Sequence, residues 1–491
     1  MMKASTSHDN KEKIPMEIET KSNPDNNAIV EKRLLRKLDW RLIPLLSLMY
    51  LLAFLDRSNI GNAKLGGLQR DLGLSHFEYQ WTLSIFFFGY IFMQVPSNIV
   101  MRRWRPSTWL GVLMGAWGII ATCMAACHDF AGIVVCRLLL GACEAGFFPG
   151  VIYLLSIWYM RKEYARRAGL FFSFSSLAGA FGGLLAYAIS QIPTDRLHSW
   201  QWLFILEGIP SIVLAVFAAW YLPDKVESAR FLTVEERTLE KERLEQDAGA
   251  SQDQVPFSWA AAFSVFRDWK LYAYMVIYLL GTCALQGVTL FLPSIVANTG
   301  TMWSHAQAQA LTTPPYVLSF VGTLLVSYSS DRFFDRAYHM MACNLIGIIG
   351  FLVLILLPPE QVAGQYTGAC LVVIGVYCNV PPKVSWFSNN FGGDTRRAIA
   401  SAVIVSFGMA GGALGGQIYY DPPNYTHGNT IALACLAAQT VIVFTLRTML
   451  ARENRRRDKI ANNAHARDLE LLRYGGPAMA GDRHPDYRYV L

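Results

Sequence analysis

Long apolar runs, separated by short polar segments, fill this chain from residue 42 to residue 449. Each run reaches the length of roughly 18 residues at which an α-helix can cross the hydrocarbon core of a membrane. The pattern predicts an all-α membrane protein with twelve transmembrane helices. We place them at 42–63, 77–100, 108–127, 130–154, 167–189, 200–222, 270–293, 306–328, 338–357, 366–388, 397–419 and 428–449.

The composition agrees with this prediction, because 53% of the 491 residues are hydrophobic and only 16% are charged. Soluble domains average roughly 25% charged residues, so a soluble enzyme, a secreted disulfide scaffold and a disordered tail protein are excluded. The nine cysteines all lie in the apolar runs, and none forms a Cys-x-x-Cys motif. We therefore expect no metal site, no cofactor and no enzymatic activity.

The lysines and arginines predict the orientation in the membrane. With the N-terminus inside, the inner segments hold 38 of the 43 basic residues and the outer segments hold four. This excess is typical of cytoplasmic segments and explains the net charge of +7 without a nucleic-acid partner. We expect both termini to lie in the cytoplasm and the protein to reside in the plasma membrane. Asn424 begins the only N-x-S/T sequon and lies in a predicted outer loop, so it is a candidate glycosylation site.

An internal repeat predicts two homologous halves. Asp39-Trp40-Arg41-Leu42 opens the first run and Asp268-Trp269-Lys270-Leu271 the seventh, an offset of 229. Arg166-Arg167-Ala168 opens the fifth run and Arg396-Arg397-Ala398 the eleventh, an offset of 230. Parallel repeats of this kind form two bundles with a substrate site between them.

The repeat sets the expected domain boundaries. Residues 39–222 and 269–449 form the two six-helix bundles, between a disordered cytoplasmic tail at 1–38 and a cytoplasmic tail at 450–491. A cytoplasmic central loop at 223–268 joins the bundles. In that loop, Thr233 and Glu236 have the spacing of a helix-capping box, which predicts a charged helix up to Asp247.

Glycines recur at related positions of the fifth and eleventh runs. Small residues let helices approach closely, so these positions form either seams that rock during transport or static packing contacts. The glycines concerned are Gly179, Gly182, Gly183, Gly408, Gly411, Gly412, Gly415 and Gly416.

Four ionisable side chains, Asp56, Arg57, Arg137 and Glu144, lie deep in the runs, where a charge is costly and usually functional. At about 1.5 Å per residue, Arg57 and Arg137 lie roughly 8 and 10 Å from the outer edge of the membrane, and Glu144 lies deeper on the face of Arg137. Acids and bases so arranged can relay a proton. We assign proton coupling to Asp56, Glu144 and Arg137, and carboxylate binding to Arg57. The alternative is an ion-pair network that only locks the helices together.

Several weaker candidates lie on the sixth, seventh and tenth runs. We expect Glu207 near the outer interface, in a structural or gating role, and Lys383 to reach the cytoplasm from the inner end of the tenth run. Four other side chains are candidates for binding the substrate by hydrogen bonds or aromatic contacts, with ordinary packing as the alternative for each. They are Tyr278, Gln286, Tyr377 and Asn379.

From Leu38 to about Leu450 the chain resembles the major facilitator superfamily, and within it the fungal allantoate-permease-like branch of the anion:cation symporter family. The motifs that carry the resemblance are Leu55-Asp56-Arg57-Ser58-Asn59-Ile60, Gln94-Val95-Pro96-Ser97-Asn98, the run from Arg137 to Gly150, Leu222-Pro223-Asp224 and Thr395-Arg396-Arg397-Ala398. The resemblance implies a cavity lined by helices one, four, seven and ten. It also implies substrate binding by Arg57 and proton coupling by Asp56 and Glu144, and Arg137 matches the arginine that the family has in its fourth span. The superfamily's loop motif departs from its pattern after the second run, where Met101-Arg102-Arg103 lacks the acid.

These observations predict a secondary transporter, a monomer in the lipid bilayer that takes up a small organic carboxylate together with protons by alternating access. A nicotinate-like compound is the first substrate to test. An exporter of a carboxylate secondary metabolite and a nutrient receptor that does not transport remain alternatives at this point.

Overall fold

The computed structural model describes residues 24–192, 197–227, 229–249, 263–299, 303–358, 360–392, 394–461, 465, 484–485 and 487–491. Twelve segments in these ranges are long and apolar enough to cross a membrane, as the sequence predicts. We number them span 1 to span 12. They are Ile29–Leu65, His76–Met101, Pro106–Ala126, Phe130–Trp158, Arg167–Ser190, Ser199–Tyr221, Trp269–Asn298, His305–Phe333, Arg336–Leu356, Val362–Asn389, Arg396–Gln417 and Thr426–Ile460.

Several spans differ in their helix boundaries from the expected runs. Span 1 belongs to a longer helix, Pro24–Leu65, and span 12 to Thr426–Ala461. Three spans consist of two α-helices each: Phe130–Glu144 and Phe147–Trp158 in span 4, His305–Leu311 and Thr313–Phe333 in span 8, and Val362–Cys378 and Val380–Asn389 in span 10. Prolines at the first turn, as in Val380–Asn389, favour such a new start because they lack the N–H that the preceding helix would need.

The remaining helices either form the other spans or lie in the segments between spans. They are Leu68–Asp71, His76–Arg103, Pro106–Cys123, Met124–Ala126, Arg161–Ser190, Ser199–Tyr221, Val234–Gly249, Val265–Arg267, Trp269–Asn298, Arg336–Leu356 and Asp394–Gln417.

The two halves pack with the same pattern of neighbours. Span 1 packs on spans 5 and 6, span 2 on span 4, and span 3 on span 6. Span 7 likewise packs on spans 11 and 12, span 8 on span 10, and span 9 on span 12. The fold is therefore two pseudo-symmetric six-helix bundles, as predicted.

The repeat motifs meet each other inside each bundle. Arg167 donates from Nε to Asp39 Oδ1 at 2.5 Å, and Arg396 donates from Nη2 to Asp268 Oδ2 at 3.1 Å. In both bundles the acid lies 128 positions before its arginine. The residue that corresponds to Arg396 is therefore Arg167 rather than Arg166, and both motifs have the same offset of 229.

The expected tail at 1–38 is wrong in its second part, because residues 24–38 belong to the first helix, and residues 1–23 lie outside the described part. Leu34 and Leu38 are buried, and Lys37 Nζ bonds Glu236 Oε2 of the linker helix Val234–Gly249 at 2.6 Å. Thr233 and Glu236 form the predicted capping contacts. At the other end of the chain, residues 487–491 pack back on the second bundle, and Tyr489 accepts a hydrogen bond from Lys270 at 2.9 Å.

Because successive spans alternate in direction, both chain ends lie on one face, which we call the terminal face. The bundles are hydrogen-bonded to each other near the other, distal face. Ser84 donates to the carbonyl of Ala413 at 2.8 Å, and Gln309 donates to the carbonyl of Asn62 at 3.2 Å. The distal ends of spans 1, 2, 8 and 11 are thus joined.

The glycines divide between the two interpretations left open by the sequence. A Cβ on Gly179 or Gly183 would meet span 8, and one on Gly412 or Gly416 would meet span 2, so these four lie between the bundles. The other four pack on spans 1 and 7 of their own bundle, as static contacts. They are Gly182, Gly408, Gly411 and Gly415.

Candidate substrate and proton site

A buried ion pair joins spans 1 and 4 in the middle of the first bundle. Arg57 donates from Nε to Glu144 Oε1 at 3.0 Å, and its Nη2 donates to the same oxygen. Arg57 is 8% and Glu144 3% exposed. The second carboxylate oxygen, Glu144 Oε2, has no hydrogen-bond partner in the described structure. Glu144 therefore pairs with Arg57, rather than with Arg137 on its own helix.

Arg137 ties span 4 to the backbone of span 1. Its Nη1 donates to the carbonyls of Asp56 and Arg57, and its Nη2 donates to Asn59 Oδ1 at 3.0 Å. Arg137 is 1% exposed. The predicted common depth of Arg57 and Arg137 agrees with this contact, although Arg137 bonds the backbone carbonyl of Asp56 and not its carboxylate.

The carboxylate of Asp56 faces span 6. Ser211 donates to Asp56 Oδ2 at 2.8 Å, and Asp56 Oδ1 has no partner among the described atoms. Asp56 is 1% exposed, so its single strong bond leaves much of the carboxylate unsatisfied.

Glu207 corrects one sequence-based expectation. It does not lie near the outer interface but is 1% exposed inside the first bundle, where it interacts electrostatically with Asp56 and Arg137. Neither of its carboxylate oxygens has a hydrogen-bond partner in the described structure. Three carboxyl groups and two guanidinium groups thus share this interior.

Aromatic rings enclose the guanidinium of Arg57. Its Cζ lies 5.6, 5.3 and 5.4 Å from the ring centroids of Phe54, Phe86 and Tyr90. Contacts of this kind stabilise a cation while they exclude water. Arg57 is therefore held in a dry aromatic pocket, with Glu144 as its one acidic partner among the described residues.

The second bundle contributes Tyr278 and Gln286 from span 7. Gln286 is 229 residues after Arg57, so it occupies the corresponding position of the second half. It is 2% exposed, and its Oε1 has no partner among the described residues. Tyr278 interacts electrostatically with Tyr90 and Arg57 of the first bundle. The structure thus places Tyr278 within electrostatic range of the Arg57 pocket.

The two span-10 candidates point in different directions. Tyr377 packs against Phe54 with ring centroids 6.1 Å apart, and its hydroxyl shares a 2.8 Å hydrogen bond with Thr289. Asn379 instead donates to Asn344 Oδ1 at 2.5 Å and to Gln439 Oε1 at 3.1 Å, inside the second bundle. Tyr377 lies beside the pocket, whereas the amide of Asn379 belongs to a neighbouring polar network.

Lys383 corrects a second expectation. Instead of reaching the cytoplasm it is 3% exposed, with its Nζ 4.5 Å from the ring centroid of Tyr278. Asn424, the candidate glycosylation residue, is exposed in the distal loop between spans 11 and 12.

The sequence of most of the chain matches a known family model. Residues 46–416 match the model described as Major Facilitator Superfamily. The chain belongs to the major facilitator superfamily. This superfamily consists of transporters rather than enzymes, in agreement with the prediction from sequence.

Superfamily relatives from fungi cover most of the chain. It is 35% identical over 443 residues to "MFS transporter prlL" of Fungal sp. (strain NRRL 50135), covering 88% of each chain. It is 34% identical over 438 residues to "MFS-type transporter efuF" of Hormonema carpetanum, covering 89% of this chain and 88% of the relative. Among solved structures, a bacterial homologue of the human lysosomal transporter Spinster superposes with a TM-score of 0.63 at 15% identity, over 82% of this chain and 96% of that one. The protein is thus a multi-pass membrane transporter of the major facilitator type.

Proposed function

We propose that this transporter is a proton-coupled symporter of a small organic carboxylate, as its resemblance to anion:cation symporters implies. The observation that carries the proposal is the buried Arg57–Glu144 pair, in which an arginine suited to a carboxylate already holds one from the protein. A second carboxylate, from a substrate, competes for the same guanidinium. A nicotinate-like compound is the first substrate to test, since the pocket around Arg57 is aromatic.

Protonation of Glu144 is the step that couples the two ligands. A neutral Glu144 no longer balances the charge of Arg57, so the guanidinium becomes available for a substrate carboxylate through its planar pair of donors. Such coupling is reciprocal, because a bound anion that pairs with Arg57 makes Glu144 easier to protonate. Proton and anion therefore favour each other's binding.

Asp56 supports the proposal as a second proton-binding group. With Glu207 and Glu144 it makes three buried acids against the two arginines of the first bundle. Because the acids outnumber the arginines within this bundle, one carboxylate has no guanidinium of its own and is the group that a proton neutralises at least cost. Arg137, bonded to the backbone at Asp56 and Arg57, holds that part of span 1 in place.

The orientation belongs to the same proposal. The excess of basic residues on the terminal face favours the cytoplasm there, and exposed Asn424 then lies outside the cell or in a lumen, where glycosylation occurs. A reporter fused after Leu491 is expected in the cytoplasm of cells that carry the protein at the plasma membrane. A reporter after Leu491 that faces outwards would contradict this orientation.

The test is an uptake assay in cells that lack their own carboxylate permeases. Labelled nicotinate, allantoate, pantothenate and tartrate are compared at outside pH 5 and pH 7.5, with neutral nicotinamide as the control for charge. We expect one carboxylate to accumulate, faster at the lower pH. Uptake of none of them, or uptake unaffected by the proton gradient, would contradict the proposal.

The role of Glu144 is tested in reconstituted vesicles with the carboxylate so identified. Glu144→Gln imitates the protonated form, so it is expected to exchange labelled for unlabelled substrate but to lose accumulation driven by a pH gradient. Glu163→Gln is the matched control, since Glu163 is an acid of the terminal face that bonds Arg243 at 2.6 Å. Concentration of substrate by Glu144→Gln against its gradient would assign coupling to Asp56 instead.

A further inference from the structure

Lys383 and Arg137 are the two buried cations of the described chain that have no ion pair, and of these Arg137 is held by the carbonyls of Asp56 and Arg57 and by Asn59 Oδ1. Lys383 is 3% exposed, and its Nζ lies over the face of the Tyr278 ring, 4.5 Å from the ring centroid. No carboxylate lies within ion-pair distance of Nζ in the described part of the chain. The buried cations that do have acidic partners are Arg57 with Glu144, Arg243 with Glu240, Lys270 and Arg396 with Asp268, Arg336 with Asp331, and Arg457 with Glu453.

A second nitrogen donor, the side-chain amide of Gln439, lies near Lys383. A Cβ built on Gly281 would lie 3.1 Å from Lys383 Nζ and 2.4 Å from Gln439 Nε2, so both nitrogens approach the same point of span 7. Gln439 Nε2 donates one hydrogen to the carbonyl of Ile277 at 2.8 Å. Because an ammonium and an amide NH₂ both favour an anion, this location is electropositive.

Tyr278 connects this location with the Arg57 pocket. Lys383 lies on the face of the ring, and Tyr278 also lies within electrostatic range of Arg57 and Tyr50 in the first bundle. A planar aromatic carboxylate in the central site can therefore contact the Tyr278 ring while its charged group lies near a cation. The two cations belong to different bundles, with Arg57 on span 1 and Lys383 on span 10.

We infer that Lys383 is the substrate-binding cation of the second bundle and supplies the first ionic contact of the incoming carboxylate. The inference rests on the proposed function, because it names a residue for the same anion. Arg57 has Glu144 as its partner in the absence of substrate, whereas Lys383 has no acidic partner among the described residues, so the anion meets an unpaired charge at Lys383 before any proton moves. An ammonium left unpaired in a dry interior is unfavourable, and a bound carboxylate relieves that.

A structural role for Lys383 makes the opposite prediction for stability. If its charge stabilises the fold, neutralising it lowers the melting temperature of the substrate-free protein. If Lys383 instead binds the substrate anion, Lys383→Gln leaves the melting temperature of the substrate-free protein unchanged or raises it. The same variant removes the stabilisation that a bound carboxylate provides. Lys270→Gln is the matched control, because Lys270 is an equally buried lysine of the same bundle with Asp268 as its partner at 3.4 Å.

The experiment measures thermal unfolding of the purified full-length protein at pH 5.5, with nicotinate, allantoate, pantothenate, tartrate or nicotinamide added in turn. We expect the wild-type protein to be stabilised by at least one carboxylate and not by nicotinamide. Lys383→Gln should weaken the apparent affinity for that carboxylate at least tenfold without lowering the melting temperature of the free protein, and Lys383→Arg should recover part of the affinity. Lys270→Gln should lower the melting temperature and keep the affinity.

The outcomes separate the inference from the proposed function. Wild-type affinity in Lys383→Gln overturns the inference and leaves carboxylate transport standing. A loss of melting temperature in Lys383→Gln as large as in Lys270→Gln also overturns it, because Lys383 is then structural. A wild-type protein that none of the four carboxylates stabilises, and that takes up none of them, removes the proposed function together with this inference.

Discussion

The bundle contact at Gly412 makes a quantitative prediction about the closed distal face. Gly412 lies on span 11 against the ring of Phe87 on span 2, and a Cβ there would be 2.3 Å from Phe87 Cε1 and 2.6 Å from Cδ1. Phe87 is 1% exposed and packs edge-on against Phe86, with ring centroids 5.1 Å apart, so its ring has little room to move. Gly412→Ala therefore overpacks the joined face.

The size of the effect follows from the cost of overpacking. One additional carbon in a tightly packed interior costs about 1–3 kcal/mol. The strain exists only while the distal ends are joined, so it shifts the equilibrium towards separated distal ends by a factor of roughly 5 to 150. The rest of each bundle is unaffected, because Gly412 faces the other bundle.

Hydrogen–deuterium exchange measures this shift directly. Gly412→Ala is expected to speed exchange in peptides covering 80–90 and 410–420, and to leave the cores of the bundles unchanged. Gly169→Ala is the matched control, since a Cβ on Gly169 would lie an ordinary 3.7 Å from Ser327 across the same two bundles. Equal exchange in the two variants, or a uniform increase along the whole chain in Gly412→Ala, would refute the argument.

Two further predictions concern the terminal face. Burial raises the pKa of Glu240 in the linker helix to about 7, against the opposing charge of Arg243. Because the pKa of this carboxyl group is raised, docking of the linker helix is strongest at low pH and weakens as the pH rises from about 4.5 through 7. Glu240→Gln should therefore slow hydrogen–deuterium exchange of residues 234–249 relative to wild type at pH 8 but not at pH 5. The same ratio of mutant to wild-type exchange rates at both pH values would contradict this. Tyr489→Phe removes a hydroxyl that accepts hydrogen bonds from Lys270 and Arg457, both at 2.9 Å. This variant should lower the melting temperature by a few degrees, as measured by scanning calorimetry. An unchanged melting temperature would show that these hydrogen bonds contribute nothing to stability.

Sequence reasoning could predict the fold because hydrophobic length and the repeat are properties of the chain alone. It also placed Arg57 and Arg137 at one depth, and the contact of Arg137 with the span 1 backbone agrees with that. Glu207 lies about seven residues into its run, so the same calculation places it roughly 10 Å from the outer edge of the membrane, at the depth of Arg137. Depth along the run does not tell whether Glu207 faces lipid, the interface or the bundle, and only the packing of span 6 on span 1 shows that it is buried.

The choice of partner lay beyond the sequence. Spacing along span 4 puts Arg137 and Glu144 on one face, but it does not tell which residue of span 1 meets each of them. Lys383 shows the same limit: its position near the end of span 10 favours an exposed head, whereas the new helix start at Val380 and the proximity of Gly281 leave it inside. Side-chain direction across a helix break cannot be obtained from periodicity.

The buried charges around Arg57 and Tyr278 lead to a last prediction. Three buried acids and two buried arginines of the first bundle and one buried lysine of the second have a net charge of zero when all six are ionised. These six residues are Asp56, Glu144, Glu207, Arg57, Arg137 and Lys383. A carrier that takes up one proton and one monocarboxylate keeps this balance, and a balanced interior is the least costly one to carry through the conformational change.

Transport of a monocarboxylate is therefore expected to be electroneutral. In vesicles with a fixed pH gradient, the initial rate should not respond when valinomycin and potassium set the membrane potential at 0 or at −100 mV. A potential-driven carrier moving one net charge would respond strongly, because 100 mV is worth about 2.3 kcal/mol per charge. A clear rise of the rate at −100 mV would mean that more than one proton accompanies each anion, and Asp56 or Glu207 would then have to bind the second.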